Sequence, residues 1–192
     1  MIDPLVRFVT WFDEAEAHAG IGLHEAMALS TVGPEGRPSS RIVLLKSHGP
    51  EGFTFYTNLG SRKARDLAPD GPAALLFWWD AMDRQVHIEG TVSPVSAADA
   101  DAYFATRPRV SQIGAWASRQ SDSLSSRADL EAKVREFEAR YDGGDVPRPP
   151  FWSGFTLTPT RIEFWTRGDA RLHHREVYDA AAGTWSTSLL HP

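Results

Sequence analysis

Apolar residues recur along this chain with a period that changes from one stretch to the next, and each change marks a structural element. Asp3-Pro4 reads as a helix N-cap followed by proline at the first helical position, and Leu5, Phe8, Val9 and Phe12 then fall at helical spacing. The spacing predicts an opening amphipathic helix. After a break at Gly20 to Gly22, the runs Ala26 to Val32, Ser40 to Lys46 and Gly52 to Thr57 are apolar or alternating. Turns of the type Gly33-Pro34-Glu35-Gly36 and Gly49-Pro50-Glu51-Gly52 separate them, so they read as consecutive antiparallel strands.

Ser61 to Leu67 suits a short helix, Ala73 to Trp79 a buried strand and Arg84 to Val95 an alternating strand. Ser96 to Thr106 opens with Ser-Ala-Ala-Asp, a capping-box pattern with Asp in the place of Glu or Gln, and Ser126 to Tyr141 has the composition of a longer solvent-facing helix. Strand patterns return at Phe155 to Leu157, Arg161 to Trp165, His173 to Tyr178 and Thr184 to Leu190. The sum is a mainly β architecture, a mostly antiparallel barrel with peripheral helices. Neither a repeat nor a low-complexity linker divides residues 1–192, so one domain is expected.

Composition narrows the function. The chain has no cysteine, which excludes disulfides, thiolate metal sites and cysteine nucleophiles. The formal charge of −5 argues against a general nucleic-acid face, yet basic residues crowd at Arg41 to Lys46, Arg62 to Arg65, Arg107 to Arg109 and Arg171 to Arg175. That pattern fits a local anion site. The N-terminal segment lacks the apolar core of a signal peptide, and the run Ala73 to Trp79 is too short to span a bilayer, so a cytoplasmic protein off the membrane is expected.

Four constellations carry candidate chemistry. In Arg41-Ile-Val-Leu-Leu-Lys46, strand alternation sends the two cations to opposite faces, where they serve different ligands or different parts of one. In Tyr56-Thr57-Asn58-Leu59-Gly60-Ser61-Arg62-Lys63, a strand ends and a helix begins with hydroxyls and two cations. Basic residues beside a helix N-terminus cost roughly 0.3–1 kcal/mol, which a bound phosphate would offset. Tyr103, Arg107 and Ser111 lie four apart and form one polar ridge, suited to a phosphate ester, if helical geometry persists through Pro108. Finally, alternation puts Arg171, His173 and Arg175 on one face of an extended segment, with His174 on the other. Adjacent histidines on opposite faces do not ligate one ion, and no carboxylate cluster accompanies them, so no metal is expected.

Together these blocks resemble the pyridoxine 5'-phosphate oxidase family. Its pattern of RIVLLK, FYTNLGSRKA, RQV, YFxxRPxxSQIGAW, SxQS, PxFWGGF, IEFW and RLHxR is met in order from Arg41 to Arg175, with Ser153 at the first glycine of PxFWGGF. The resemblance implies a split β-barrel homodimer with FMN bound across the subunit interface. It carries FMN contacts onto Arg41, Ile42, Val43, Leu44, Leu45, Lys46, Tyr56, Thr57, Arg62, Lys63, Gln85, Gln120, Ser121, Trp165 and Arg175. Substrate-phosphate contacts fall on Lys46, Tyr103, Arg107 and Ser111, and contacts near the pyridine ring, the catalytic pair, on Arg171 and His173. The implied reaction oxidises pyridoxamine or pyridoxine 5'-phosphate to pyridoxal 5'-phosphate, with dioxygen as acceptor and hydrogen peroxide as product. The competing readings are a split-barrel flavin oxidoreductase with another substrate, and a non-catalytic binder of FMN or pyridoxal 5'-phosphate. Three departures stand out. His174 replaces the common Asp, removing a carboxylate that would orient Arg171 or Arg175. Leu189 stands where arginine is usual, and the chain starts close to its first helix, without the basic lid segment of some relatives.

Overall fold

The computed structural model describes residues 3–67 and 71–192. Helix α1 (Pro4–Ala17) starts where its cap predicts, with the Asp3 carboxylate accepting the Leu5 N–H at 2.8 Å. Its buried stripe is Phe8, Trp11 and Ala15, with Leu5, Val9 and Phe12 only partly covered. Phe8 meets Phe53 and Phe77 edge-on, with ring centroids at 4.8 and 5.2 Å, and Trp11 meets Phe164 at 5.1 Å. Each fully buried aromatic of this kind contributes about 1.5–3 kcal/mol. The helix is thereby fixed on the core face of the sheet.

That sheet has nine strands: β1 (Ala26–Val32), β2 (Pro38–Leu44), β3 (Ser47–Gly49), β4 (Gly52–Asn58), β5 (Pro72–Trp79), β6 (Arg84–Pro94), β7 (Trp152–Thr166), β8 (His174–Ala181) and β9 (Thr184–Leu189). Every pairing is antiparallel, in the order β2-β1-β5-β6-β7-β4-β3. Strand β7 is where the sheet divides. One edge of it pairs with β6 over residues 155–166, while the other pairs with β4 over residues 152–157 and with β8 over residues 161–166. The predicted mainly β, curled architecture is observed.

Three local expectations change. The run expected to be a strand as far as Lys46 ends at Leu44, because Leu45 N–H turns to the Glu25 carbonyl and Lys46 N–H to that of Thr54. The short strand β3 follows. Phe155 to Leu157 and Arg161 to Trp165 are parts of one strand, not two; the chain passes Pro159 through a bulge opposite Glu89/Gly90. Only glycine fits there, since a Cβ on Gly90 would lie 2.1 Å from the Thr158 carbonyl oxygen. Lastly, the strand expected from His173 begins at His174.

Helices α2 (Arg62–Asp66), α3 (Ala97–Thr106), α4 (Arg109–Ala117) and α5 (Arg127–Arg140) lie outside the barrel core. Ser61, Ser96 and Ser126 cap α2, α3 and α5. The ridge expected through Pro108 is interrupted: α3 stops at Thr106, Arg107 is extended and α4 restarts behind Pro108. A second apolar cluster of Phe104, Ile113, Val146 and Trp152 ties α3 and α4 to the start of β7. Helix α5 buries no residue, matching its solvent-facing composition. Among the described residues no helix is long and apolar enough to cross a membrane.

Candidate active site

A cavity of about 830 Å³ opens between β2, the end of β4, α2 and the α3–α4 corner. It gathers Arg41, Ile42, Val43, Leu44, Lys46, Tyr56, Thr57, Arg62, Lys63, Tyr103, Arg107, Ser111, Gln120 and Ser121, all named from the sequence. Arg41 and Lys46 therefore reach one cavity. Alternation had sent them to opposite faces, but the strand ends between them. Leu45 is the exception within its motif, being 4% exposed and packed in the core.

The hydrogen-bond partners of these cations are neutral. Lys63 Nζ donates to Gln120 Oε1 at 2.8 Å and to Thr57 Oγ1 at 3.1 Å, and Thr57 in turn donates to Gln120 Oε1 at 3.1 Å. Arg41 donates to Thr31 Oγ1 and Ser39 Oγ, both at 2.8 Å, and lies 3.7 Å from Asp66. The first amide of α2, Arg62 N–H, already has a partner in Ser121 Oγ at 3.1 Å. Burial lowers the pKa of Lys63, and the charge of Arg41 adds to the effect. Burial lowers that of Arg41 too, against the opposing pull of Asp66. An anion would relieve both costs.

At the other end of the cavity the rings of Tyr103, Tyr56 and Trp152 lie nearly parallel, with centroids 4.1 Å apart for the tyrosine pair and 5.3 Å apart for Tyr56 and Trp152. The Arg107 guanidinium sits 4.7 Å over Trp152. Its Nη1 is the one buried side-chain polar atom without a hydrogen-bond partner among the described residues. Native proteins leave few such atoms unpaired, so this donor marks where an acceptor belongs. Ser111 and Lys46 share the same cavity. Burial raises the pKa of both tyrosine hydroxyls, which keeps them protonated as donors. Trp152 and Asp66 were not singled out from the sequence; each acts through a partner remote in sequence.

The remaining candidates lie elsewhere. Gln85, Trp165 and Arg175 stand in register across β6, β7 and β8, and Trp78 completes the row on β5. Trp78 meets Trp165 at 5.8 Å, and His173 meets Trp165 at 4.6 Å. Arg171 and His173 do not share a strand face with Arg175 as alternation predicted. Arg171 closes a 3-10 turn (Asp169–Arg171) in which Ala170 and Arg171 both have positive φ, of 52° and 66°. His173 Nδ1 accepts the Gly168 N–H at 3.3 Å. Arg175 forms two hydrogen bonds with the buried Glu163 carboxylate, at 2.7 and 2.9 Å. That pairing raises the Arg175 pKa and supplies the carboxylate that the His174 substitution had seemed to remove. His174 is exposed on the opposite face of β8, the face of Glu176.

The chain matches the family model described as pyridoxamine 5'-phosphate oxidase over residues 13–141. A second model, described as the pyridoxine 5'-phosphate oxidase C-terminal dimerisation region, matches residues 152–192. It is 56% identical over 190 residues to a pyridoxine/pyridoxamine 5'-phosphate oxidase of Sphingopyxis alaskensis, covering 99% of this chain and 88% of that protein. The same comparison gives 52% identity with the Anaeromyxobacter dehalogenans protein of that name, over 99% of this chain and 96% of the relative. Among solved structures, PhzG from Burkholderia lata, in complex with tetrahydrophenazine-1-carboxylic acid, is similar with a TM-score of 0.93. Its identity is 33% over 99% of this chain and 93% of that one. A related FMN-binding protein from Nostoc punctiforme, 16% identical with full coverage of both chains and a TM-score of 0.77, shares the fold.

Proposed function

Since the chain belongs to the pyridoxamine 5'-phosphate oxidase family, we propose that it oxidises pyridoxamine or pyridoxine 5'-phosphate to pyridoxal 5'-phosphate as a cytoplasmic FMN enzyme. Dioxygen is the acceptor and hydrogen peroxide the second product. The observation that carries the substrate class is the unpaired Arg107 Nη1, buried beside a column of aromatic rings. A phosphate ester on an aromatic ring answers both features, an acceptor for the orphaned donor and a flat partner for the cavity.

The donor set also fits FMN. Arg62, Lys63, Gln120 and Ser121 would take its phosphate, with Arg41, Thr57 and the β2 backbone along its length. When bound, FMN supplies hydride acceptance at the substrate's C4' carbon and reoxidation by dioxygen. The chain's own residues bind and orient: Lys46, Tyr103, Arg107 and Ser111 anchor the substrate phosphate, which fixes how far the ring reaches. Arg171 and His173 act near the ring. With Nδ1 accepting from Gly168, a neutral His173 carries its proton on Nε2 and serves there as a donor.

Arg171, His173, Gln85, Trp165 and Arg175 are absent from the cavity lining of their own chain. We assign them to the cavity of a second copy, in a homodimer with two divided sites. The dimerisation description of the model over residues 152–192, which holds four of these five residues, supports that arrangement. Each copy acts as one unit of 192 residues, because β7 belongs to both halves of the sheet. The test is to purify the protein, record its visible spectrum and add pyridoxamine 5'-phosphate. Flavin bands with sustained peroxide release are expected. Flavin bands without peroxide would leave a different substrate or a binder as the reading, and a colourless protein that takes up no FMN would overturn the cofactor assignment.

A further inference from the structure

Beside the main cavity lies a second, of about 450 Å³, and Lys46 stands in the wall of both. The smaller one is lined on its polar side by His24, Glu25 and His48, with Phe12 packed against both histidines at 4.7 and 5.0 Å. Lys46 Nζ is 3.7 Å from Glu25 Oε1, and Glu25 Oε2 is 3.6 Å from His24 Nδ1. Both distances exceed a hydrogen bond. Neither the Lys46 ammonium nor the Glu25 carboxylate has a side-chain hydrogen bond among the described residues. The contrast with Arg175 and Glu163, bonded twice at 2.7 and 2.9 Å, is plain. A flexible ammonium in a loose, partly exposed ion pair gives up little when it turns to a better acceptor.

Resting on the phosphate-ester reading above, we propose that Glu25 is a positioning and specificity-determining residue that competes with the substrate phosphate for Lys46. With the phosphate pocket empty, Lys46 leans toward Glu25 and the smaller cavity. A phosphate held by Arg107 and Ser111 draws the ammonium across the shared wall into charge-assisted hydrogen bonds. Glu25 then remains as an uncompensated negative charge close to the bound ester. Its reach into the phosphate pocket is visible at Tyr103, whose hydroxyl pKa it helps to raise, after burial and against Arg107. The carboxylate therefore weakens the hold on phosphorylated ligands and favours release of a phosphorylated product.

The experiment compares the parent holoenzyme with Glu25→Gln, Lys46→Met and the double variant. It reads the Kd of pyridoxal 5'-phosphate by titration, KM and kcat with pyridoxamine 5'-phosphate, and the Kd of inorganic phosphate. Glu25→Gln should tighten Kd and lower KM by roughly three- to fivefold, the scale of a loose, partly exposed ion pair, with the effect on KM rather than kcat. In the Lys46→Met background the same change should shrink to below about twofold, because the contested ammonium is gone. Unchanged or weaker binding by Glu25→Gln overturns the proposal, and so does an equal gain in both backgrounds. Inorganic phosphate keeps the two readings apart. A parent that makes no peroxide from pyridoxamine 5'-phosphate defeats the substrate assignment, whereas the Glu25 effect on phosphate binding is still measured; a parent that binds no phosphate at all defeats the proposal.

Discussion

In the cavity, Lys63 and Arg41 are each held by several side chains from different elements, and the rings of Tyr56, Tyr103 and Trp152 are stacked within one chain. Along the row Trp78, Gln85, Trp165 and Arg175, the orienting contacts are as firm but the cover is missing: Trp78 is 46% exposed, and Leu172 beside His173 is 73% exposed. Both regions are preorganised, yet only one encloses a space. A site divided between two copies works when each half keeps its shape alone, so that association adds cover without reordering side chains. Glu163 on Arg175 and Gly168 on His173 do for the open row what Gln120 does for Lys63.

The strongest way to break this comparison is to strip the enclosed half. Arg62→Ala combined with Lys63→Ala should weaken FMN by roughly ten- to a hundredfold for each charge-assisted hydrogen bond that the substitutions remove. A flavin titration in which the double variant matches the parent would refute the phosphate assignment. Arg107→Ala separates the two ends of the cavity. It should raise KM for pyridoxamine 5'-phosphate by about tenfold or more and leave FMN content intact, since the substrate's anion is deprived of a buried charged donor. The same logic makes unphosphorylated pyridoxamine a poor substrate for the parent, and equal kcat/KM for the two forms would remove Arg107 from the phosphate site. The smallest effect belongs to His174. Because Arg175 already has Glu163, His174→Asp should leave the pH–rate profile superimposed on the parent's between about pH 5.5 and 8, the range in which histidine changes charge. A raised kcat/KM or a flattened acid limb would mean that the exposed imidazole does act on the neighbouring arginines.

Much of the fold is legible from periodicity alone. Strand β1 matches Ala26 to Val32 at both ends, and the Asp3-Pro4 cap fixes the first helix, because alternation and capping are local properties. The failures have a different physics. Pro159 reads as a strand breaker, but the bulge that admits it depends on Gly90, far away in the chain. Alternation across RLHHR assumes an extended backbone where Ala170 and Arg171 turn left-handed, with no glycine or asparagine to signal it. Leu45 follows its motif neighbours as an expected ligand contact, although the turn of the chain after Leu44 puts it in the core. Most residues taken from the family motifs as contacts of the two phosphates line one cavity, because a motif stores long-range packing that local patterns do not. The contact assignments drawn from them omit Asp66 under Arg41 and Trp152 under Arg107, which are the supports of those residues.

Strand β7 also acts as a spacer. Trp152, at its first position, floors the cavity, and Trp165, 13 positions later, stands in the open row. At the rise of an antiparallel strand this is roughly 40 Å of chain, far longer than a flavin mononucleotide. Defects at the two ends should consequently complement each other in mixed assemblies. When Lys63→Ala and Arg175→Ala chains are co-expressed, half of randomly formed dimers pair the two variants, and each such dimer joins one intact cavity to one intact row. About a quarter of all sites should regain peroxide production from two parents that have almost none, the statistical limit for a twofold assembly with divided sites.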